Sequence, residues 1–579
     1  MSAIGSTSLL AIAGCIQEAR SALEQEGSEQ IKLTINTVPA DRDRHAVEIA
    51  RMLQENLEEV GVNVTLEMQR EDKHIEDILL NQDFHLYVDR SQPILEPDQL
   101  YPLLHSKFSS DPGWSNPFGF DDERIDDLLE AQRVETGSER RETVNALLEA
   151  IVQAKPFATI GFPEEIRVIR TDRFDGWSDS ALLDPLDFLS IRPTEGRDSP
   201  AEQLRLATSD GRITKNLNPI AINYRNRGTL TSLLYDSLGR RHDGEIIPWL
   251  ARDWTLEASE DGLDLDVELR EGLTFHDGSP ITAADIEFTY RFLADTSLGR
   301  MEVATPAPRF QGQVSPIVDI EQRDVRQVSL SLEDISKEVA REVLTVPIFP
   351  AHEWGPRTGE VEIAGVTIQS GVTEALVWDN LEPIGSGVLQ FESVTKNESI
   401  EFSRFDDHFL HREDTPSIPS ELADGVLFEE MDLTVVPSSG TAVELVETGE
   451  SDATLSAIDP SAVPEIGKDD DRKLLVTEAQ SVYHVGFNTR RSDLSNAQFR
   501  RILARMIDPN AIASAVFDDY FEPGKVPLRN SQWVQFDLDD STVDFDGSFI
   551  GSDGELDVET ARDLFRDAGY SYDEGRLVR

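Results

Sequence analysis

His408 and His411 stand three residues apart beside Asp406 and Asp407, a spacing that could bring two imidazoles and a carboxylate onto one metal ion. Nickel and zinc accept such a donor set. The plainer reading, a solvated turn after a strand, is preferred, and no metal and no cofactor is expected. Other catalytic constellations are missing from the sequence. It holds no G-x-S-x-G elbow, no H-E-x-x-H helix and no G-x-x-x-x-G-K phosphate loop. Its 110 acidic residues could supply a glycosidase-like pair, but nothing in their spacing singles out two. No enzymatic activity is expected from these motifs.

Binding residues need elements to hold them, and the composition says what those elements must tolerate. At 579 residues and 39% hydrophobic, the chain can form two or more domains, each with its own core. The 110 acidic residues face 53 basic ones, for a formal net charge of −57. Such a surface repels DNA and RNA, so nucleic-acid partners are not expected. The acidity either buffers cations or adapts the chain to concentrated salt, where screening shortens to about 3 Å and self-repulsion fades. Charge spread along the whole chain, with Lys scarce beside Arg, favours adaptation to salt.

Apolar spacing outlines the elements. Ile31 to Asn36 has strand composition. Ala46, Ala50, Leu53, Leu57 and Val60 then recur at three or four residues, one face of a helix, with Gly61 placed to end it. Val62, Val64 and Leu66 alternate as a half-buried strand, which completes a β-α-β unit. Residues 124–155 carry a helical pattern. Leu263, Leu265, Val267 and Leu269 alternate as a strand, and Thr282 with Asp285 predicts a capped helix running through Tyr290 and Leu293. A further helix holds Phe499, Ile502, Leu503 and Met506, and Asp508-Pro509 is expected to stop it.

Several stretches resemble the family 5 extracytoplasmic solute-binding proteins, the peptide- and nickel-type receptors of ABC importers. Residues 246–290, IIPWLARDWTLEASEDGLDLDVELREGLTFHDGSPITAADIEFTY, are similar to that family's early signature. Leu204 to Trp254 resembles a family N-terminus, and Ser481 to Ile512 resembles the opening of its second lobe. Asp557 to Tyr570 resembles a helix in the middle of that lobe. VGVNVTLEMQ, and then DFHLYVDRSQPILEPDQLYPLLHS, resemble the second half of the same lobe, yet they precede the signature. The resemblance implies an α/β, type II periplasmic-binding-protein fold: two lobes, an interlobe cleft and an extra subdomain, circularly permuted. Residues 1–30 are then a signal and tether, and 31–160 the second half of lobe II. Residues 161–190 are a return segment of lobe I, and 191–203 a linker joining the family's usual termini. Residues 204–475 form lobe I with its extra subdomain, and 476–579 the first half of lobe II.

The resemblance also implies a function. The protein would be a monomeric extracytoplasmic receptor that captures oligopeptide-like solutes and delivers them to an ABC permease. A nickel chelate, a sugar or another small solute is the alternative, and a secreted hydrolase is the alternative of a different class. In peptide-binding relatives an Asp within the segment matching Val88 to Pro97 meets the ligand's amino group. That position falls near Pro93 here, so Asp89 or Glu96 is the expected substitute, while Arg90 could receive an anion through a bidentate fork. Tyr483, Phe487 and Asn488 are expected at the cleft after the second crossover. Cys15, the chain's one cysteine, ends Ile12-Ala13-Gly14-Cys15, which resembles a lipobox and implies a cell-surface lipid anchor. No Lys or Arg precedes it, whereas a signal peptide carries a positive start, so the true start is expected upstream.

Overall fold

The computed structural model describes residues 29–92, 94–111, 113, 115–178, 182, 184–194, 202–221, 228–362, 371–412, 417–466, 471–477, 481–528, 533 and 548–579. Cys15 and the position of Pro93 lie outside them. Among the described residues no helix is long and apolar enough to cross a membrane.

Two sheets organise the molecule. In chain order their strands are β1 (Lys32–Thr37), β2 (Asn63–Met68), β3 (Leu86–Ser91), β4 (Phe157–Pro163), β5 (Glu165–Arg170), β6 (Gln203–Thr208), β7 (Leu389–Thr395), β8 (Ser399–Arg404), β9 (Glu430–Val435), β10 (Ala453–Thr454), β11 (Arg472–Thr477), β12 (Val482–Phe487) and β13 (Phe521–Pro523). The first sheet runs β2-β1-β3-β12-β4-β13, and the second runs β7-β8-β9-β6-β10-β5-β11. Within each lies the same five-strand motif. β1 is parallel to β2 and β3, and β12 lies antiparallel between β3 and β4. In the other lobe β6 is parallel to β9 and β10, and β5 lies antiparallel between β10 and β11. Each lobe thus takes its fourth strand directly from the end of the other lobe's last strand. β4 passes to β5 through Glu164 alone, and β11 passes to β12 within a few residues.

The β-α-β unit read from the sequence is present. Its helix spans Arg44–Glu59, and the Asp43 side chain caps it by accepting from the Ala46 amide at 2.9 Å. Gly61 leaves the helix at φ +92°, where a Cβ would lie 2.1 Å from the Gly575 carbonyl oxygen. That close approach joins distant parts of the chain. The Ile31 amide donates to Leu577 O and the Leu577 amide to Gly61 O, both at 2.9 Å. One apolar core combines Ile31, Leu33, Ile35, Leu53 and Val64 with Tyr483, Phe499, Phe565 and Leu577. Among the described residues, the strands of 31–160 therefore form no separate sheet: β3 and β4 pair with β12, β1 and β2 extend the same sheet, and its core is shared with 483–577.

Two expectations are corrected in detail. The pattern over 124–155 forms two helices, Glu123–Val134 and Gly137–Ala154, because Gly137 begins the second at φ +59°. Asp508-Pro509 starts a helix instead of stopping one. Asp508 accepts from the Asn510 and Ala511 amides, and Pro509 occupies the first turn of Pro509–Val516, where its missing amide costs nothing. The preceding helix, Ala497–Ala504, has already ended.

In lobe I, Thr282 and Asp285 form the expected capping box ahead of the helix Ala283–Ala294. This helix packs on a four-stranded antiparallel sheet, Ala251–Ala258, Leu263–Leu269, Gln327–Leu332 and Ile317–Gln322 in spatial order. Leu265, Val267, Leu330 and Phe292 belong to the same core as Leu204, Leu206 and Leu433 of the main sheet.

His408 is buried beside this core, whereas Asp406, Asp407 and His411 are exposed. Asp236 is wholly buried, and its carboxylate accepts from Trp249 Nε1 at 2.7 Å and Arg240 Nη2 at 2.9 Å. His408 Nε2 lies 3.0 Å from its other oxygen, while Nδ1 accepts from the Leu410 amide at 3.3 Å. Both ring nitrogens of His408 are therefore committed. Among the described residues no group of three or more His, Cys, Asp or Glu could hold a metal.

Candidate functional site

A cavity of about 350 Å³ lies between the lobes. Lobe II lines it with β3, β4 and β12 and with Gln92, Ile94, Leu95, Glu96, Asp98, Gln99, Pro102 and Leu103; lobe I contributes Arg241, Pro308, Arg309, Gly312, Gln313 and Glu342. The strand period decides which side chains reach it. Along β12, Val482 and His484 face the cavity, and Tyr483, Val485 and Phe487 point to the opposite core.

Aromatic rings form the floor. Tyr87 and Phe118 are stacked at 6.4 Å between centroids, and Phe118 stacks on Phe157 at 5.3 Å. His484 meets Tyr87 edge-on at 5.4 Å, and its Nε2 lies 3.2 Å from the Tyr87 hydroxyl. Charged groups of both signs form the walls: Arg90, Arg241 and Arg309 against Glu96, Asp98 and Glu342. Arg241 bridges the lobes, pairing with Glu342 of its own lobe and lying 3.6 Å from Glu96 of the other. Burial, reinforced by the nearby Glu96 and Asp98, raises the Glu342 pKa above the usual carboxylate value despite Arg241.

The lobes also meet beside the cavity. Arg133 pairs with Asp98 at 2.9 Å, and its Nη2 donates across the cleft to Gly312 O at 3.1 Å. The Ser336 amide returns a bond to Arg133 O at 2.7 Å. Gln311 Nε2 donates to Asp111 at 3.1 Å. Burial pushes the Asp111 carboxyl up to about 6, against the Gln311 bond and Lys107. Where the strands cross between lobes, Arg90 lies 3.7 Å from Glu165.

The residues expected from the sequence separate into two groups. Arg90 and Glu96 line the cavity. The other four lie elsewhere. Asp89 is buried, 3.3 Å from the Nε2 of a fully buried His74. Tyr483 donates its hydroxyl to Asp43, the helix cap, at 2.9 Å. Phe487 is a core residue, and Asn488 ties down the 82–84 turn by donating to Gln82 O and Phe84 O. Tyr87, His484, Arg241, Arg309, Gly312 and Glu342 lacked a sequence signal of their own. His484 had an indirect one, since it alternates with Tyr483 and Phe487 along one strand.

The family model described as "Bacterial extracellular solute-binding proteins, family 5 Middle" matches residues 245–579. Among curated proteins, the chain is 22% identical to Heme-binding protein A of Haemophilus influenzae, over 56% of this chain and 54% of that protein. It is 23% identical to the Oligopeptide-binding protein AppA of Bacillus subtilis, over 52% and 50%. Against the Dipeptide-binding protein of Escherichia coli it is 22% identical, over 52% and 53%. The chain spans about half the length of these curated relatives. Among solved structures, AppA from Bacillus subtilis with a nonapeptide aligns with TM-score 0.43 and 17% identity, covering 65% of this chain and 66% of that one. NikZ from Campylobacter jejuni with Ni(L-His) aligns with TM-score 0.42 and 18% identity, covering 66% of each. The family model accounts for more than half of the sequence, and the chain belongs to the bacterial extracellular solute-binding proteins, family 5.

Proposed function

We propose that this chain is the extracytoplasmic receptor of an ABC importer, that its interlobe cavity holds an oligopeptide-like solute, and that its segments run in circularly permuted order. The cavity carries the functional reading. Its aromatic floor can take apolar side chains, and its paired walls offer both charges to a zwitterionic backbone. Capture of this kind needs closure of the lobes on a hinge and no covalent step. The two short crossings, β4 to β5 and β11 to β12, are placed to act as that hinge.

Isothermal titration against peptide pools, sugars and nickel chelates tests the solute class. Saturable binding of peptides is expected, and hydrolysis of the titrant or binding of the metal chelate alone would overturn the reading. Arg90→Ala is expected to weaken binding about tenfold, the loss of one charge-assisted contact. Asp89→Asn should leave affinity unchanged and lower stability, because Asp89 serves His74. Equal affinity losses in both variants would remove the distinction between wall and core.

Three features support permutation. The strands β1 to β4 lie outside the matched region 245–579, yet they complete the sheet around β12. The two lobes repeat one strand order. Gln30 pairs with Val578, and Arg173 joins both sides of the other junction, its carbonyl accepting from the Thr194 amide at 2.9 Å and its Nη2 donating to Gln203 O at 3.1 Å, so both junctions of the rearrangement are short in space. A chain rewritten to begin at Gln203, run through Arg579 into Gln30 and end at Thr194 should fold and bind with unchanged affinity. Residues 29–160 alone should stay unfolded for want of β12. A cooperative, native-like 29–160 fragment would refute the reading.

The charge pattern supports life in concentrated salt, and Cys15 supports a lipid anchor that holds the receptor by lobe II. Lowering potassium chloride from molar levels to about 0.1 M lengthens screening to about 10 Å, which restores self-repulsion. The denaturation midpoint is expected to fall steeply over that range. A midpoint independent of salt would count against the halophilic reading.

A further inference from the structure

A second pocket, of about 360 Å³, opens on lobe II at the N-terminal end of β1 and the C-terminal end of β12. Its lining includes Lys32, His85, Arg490, Arg491 and Arg579, against the acidic side chains of Glu29 and Asp493 among the described residues. In a chain where acidic residues outnumber basic ones 110 to 53, this reverses the surrounding charge.

Arg490 is the unusual member. Among the described residues it has no carboxylate partner, and oxygens that carry no charge hold it. Nη1 donates to Pro117 O at 3.1 Å and to Asn488 Oδ1 at 3.5 Å, and Nη2 to Ser109 O at 2.5 Å. The guanidinium rests on Gly119, at φ +62°, where a Cβ would come within 2.2 Å of Arg490 Cζ. A bare glycine and three oxygens thus fix a cation in place and leave its charge uncompensated. Its neighbours are differently arranged. Arg491 pairs with Asp83 and donates Nε to Phe84 O at 3.2 Å, and Arg579 pairs with Asp493. Each guanidinium carries five N–H donors, so these bonds leave donors over.

Holding a cation without a counter-charge is costly unless a ligand supplies one. An immobilised guanidinium also loses little entropy when it takes a planar or tetrahedral oxyanion. We infer that this pocket is an oxyanion site, in which a phosphate-type group, free or as a phosphodiester headgroup, binds Arg490 with Arg491 and Lys32. The site is at the opposite end of the β3–β12 pair from the cleft, and it does not depend on what the cleft binds.

The test uses the full chain in concentrated potassium chloride held constant. Inorganic phosphate is titrated while the thermal midpoint is followed. A saturable rise is expected in the wild type and in Arg90→Ala, and affinity at least about tenfold weaker in Arg490→Gln. Arg491→Gln, whose partner is an exposed carboxylate, should weaken it in the same direction and serves if Arg490→Gln fails to fold. Sedimentation with vesicles of phosphatidylglycerol, against phosphatidylcholine as control, separates the sources. Arg490-dependent binding to phosphatidylglycerol assigns a headgroup, and a response to phosphate alone assigns a free oxyanion. No response to either probe, or the same response in both pocket variants as in the wild type, overturns the site.

Discussion

Asp236→Asn is expected to destabilise the protein by about 3–5 kcal/mol, the usual cost of removing one partner from a buried ion pair. The carboxylate takes Trp249 and Arg240 on one oxygen and His408 on the other, with nothing of it exposed to water. Asparagine keeps the shape, but it leaves the Arg240 charge uncompensated and offers one acceptor in place of two. The loss should also change the acid limb of the stability curve. Burial acts to raise the Asp236 pKa, yet His408 and Arg240 outweigh it and hold the carboxyl below the usual value. A depressed folded-state pKa contributes stability above the unfolded value and loses it as the pH falls through the folded value. The variant should therefore lose less stability than the wild type on acidification. Chemical denaturation followed by tryptophan fluorescence reads both effects; a midpoint within about 0.5 kcal/mol of the wild type would falsify the network's role.

Gly312→Trp should abolish solute binding while leaving each lobe folded. Gly312 lines the cleft, and a Cβ there meets the Pro102 ring at 3.5 Å and Asp98 O at 3.9 Å, both of the other lobe and both at ordinary contact distance. Alanine fits those contacts, so Gly312→Ala should bind normally. An indole cannot fit. It would fill much of the 350 Å³ cavity and wedge residues 311–314 away from Pro102. Forcing such overpacking costs about 3 kcal/mol, which corresponds to about a hundredfold in affinity. Isothermal titration measures the loss, and small-angle scattering should show a chain that no longer compacts with solute. Wild-type affinity in the tryptophan variant would place the binding site outside this cavity.

Much of the fold was legible because local pattern and global structure agree. The helix Arg44–Glu59 had both its terminating glycine and its apolar face in the sequence, and Leu263–Leu269 its alternation. The site was legible only in part. Arg90 and Glu96 lie in the segment singled out for the cleft, but Tyr483, Phe487 and Asn488 serve the core. The reason is parity, because in a strand one step separates core from cleft, and His484 and Val482 have the facing positions. Arg241, Glu342 and Gly312 were beyond reach for another reason. Their role comes from apposition of two lobes, and no local spacing encodes which lobe-I residues will stand opposite β3. His408 reads as a solvated turn residue and is buried instead, since nothing in its local sequence shows the tie to Asp236, 172 residues away.

The pairing of β3 with β12 also has a consequence in time. Ser91 and His484, in contact across those strands, are separated by 393 residues. During synthesis β1 to β4 therefore emerge with the middle of their sheet missing, and the strand that fills it is made only after the whole of the other lobe. Closing so long a loop is slow, and until it closes β3 and β4 each present an unpaired edge to solvent. This order of appearance sets a window in which the nascent chain is open to mispairing and proteolysis. The rewritten chain beginning at Gln203, where β12 precedes its neighbours, should refold faster and aggregate less at equal stability.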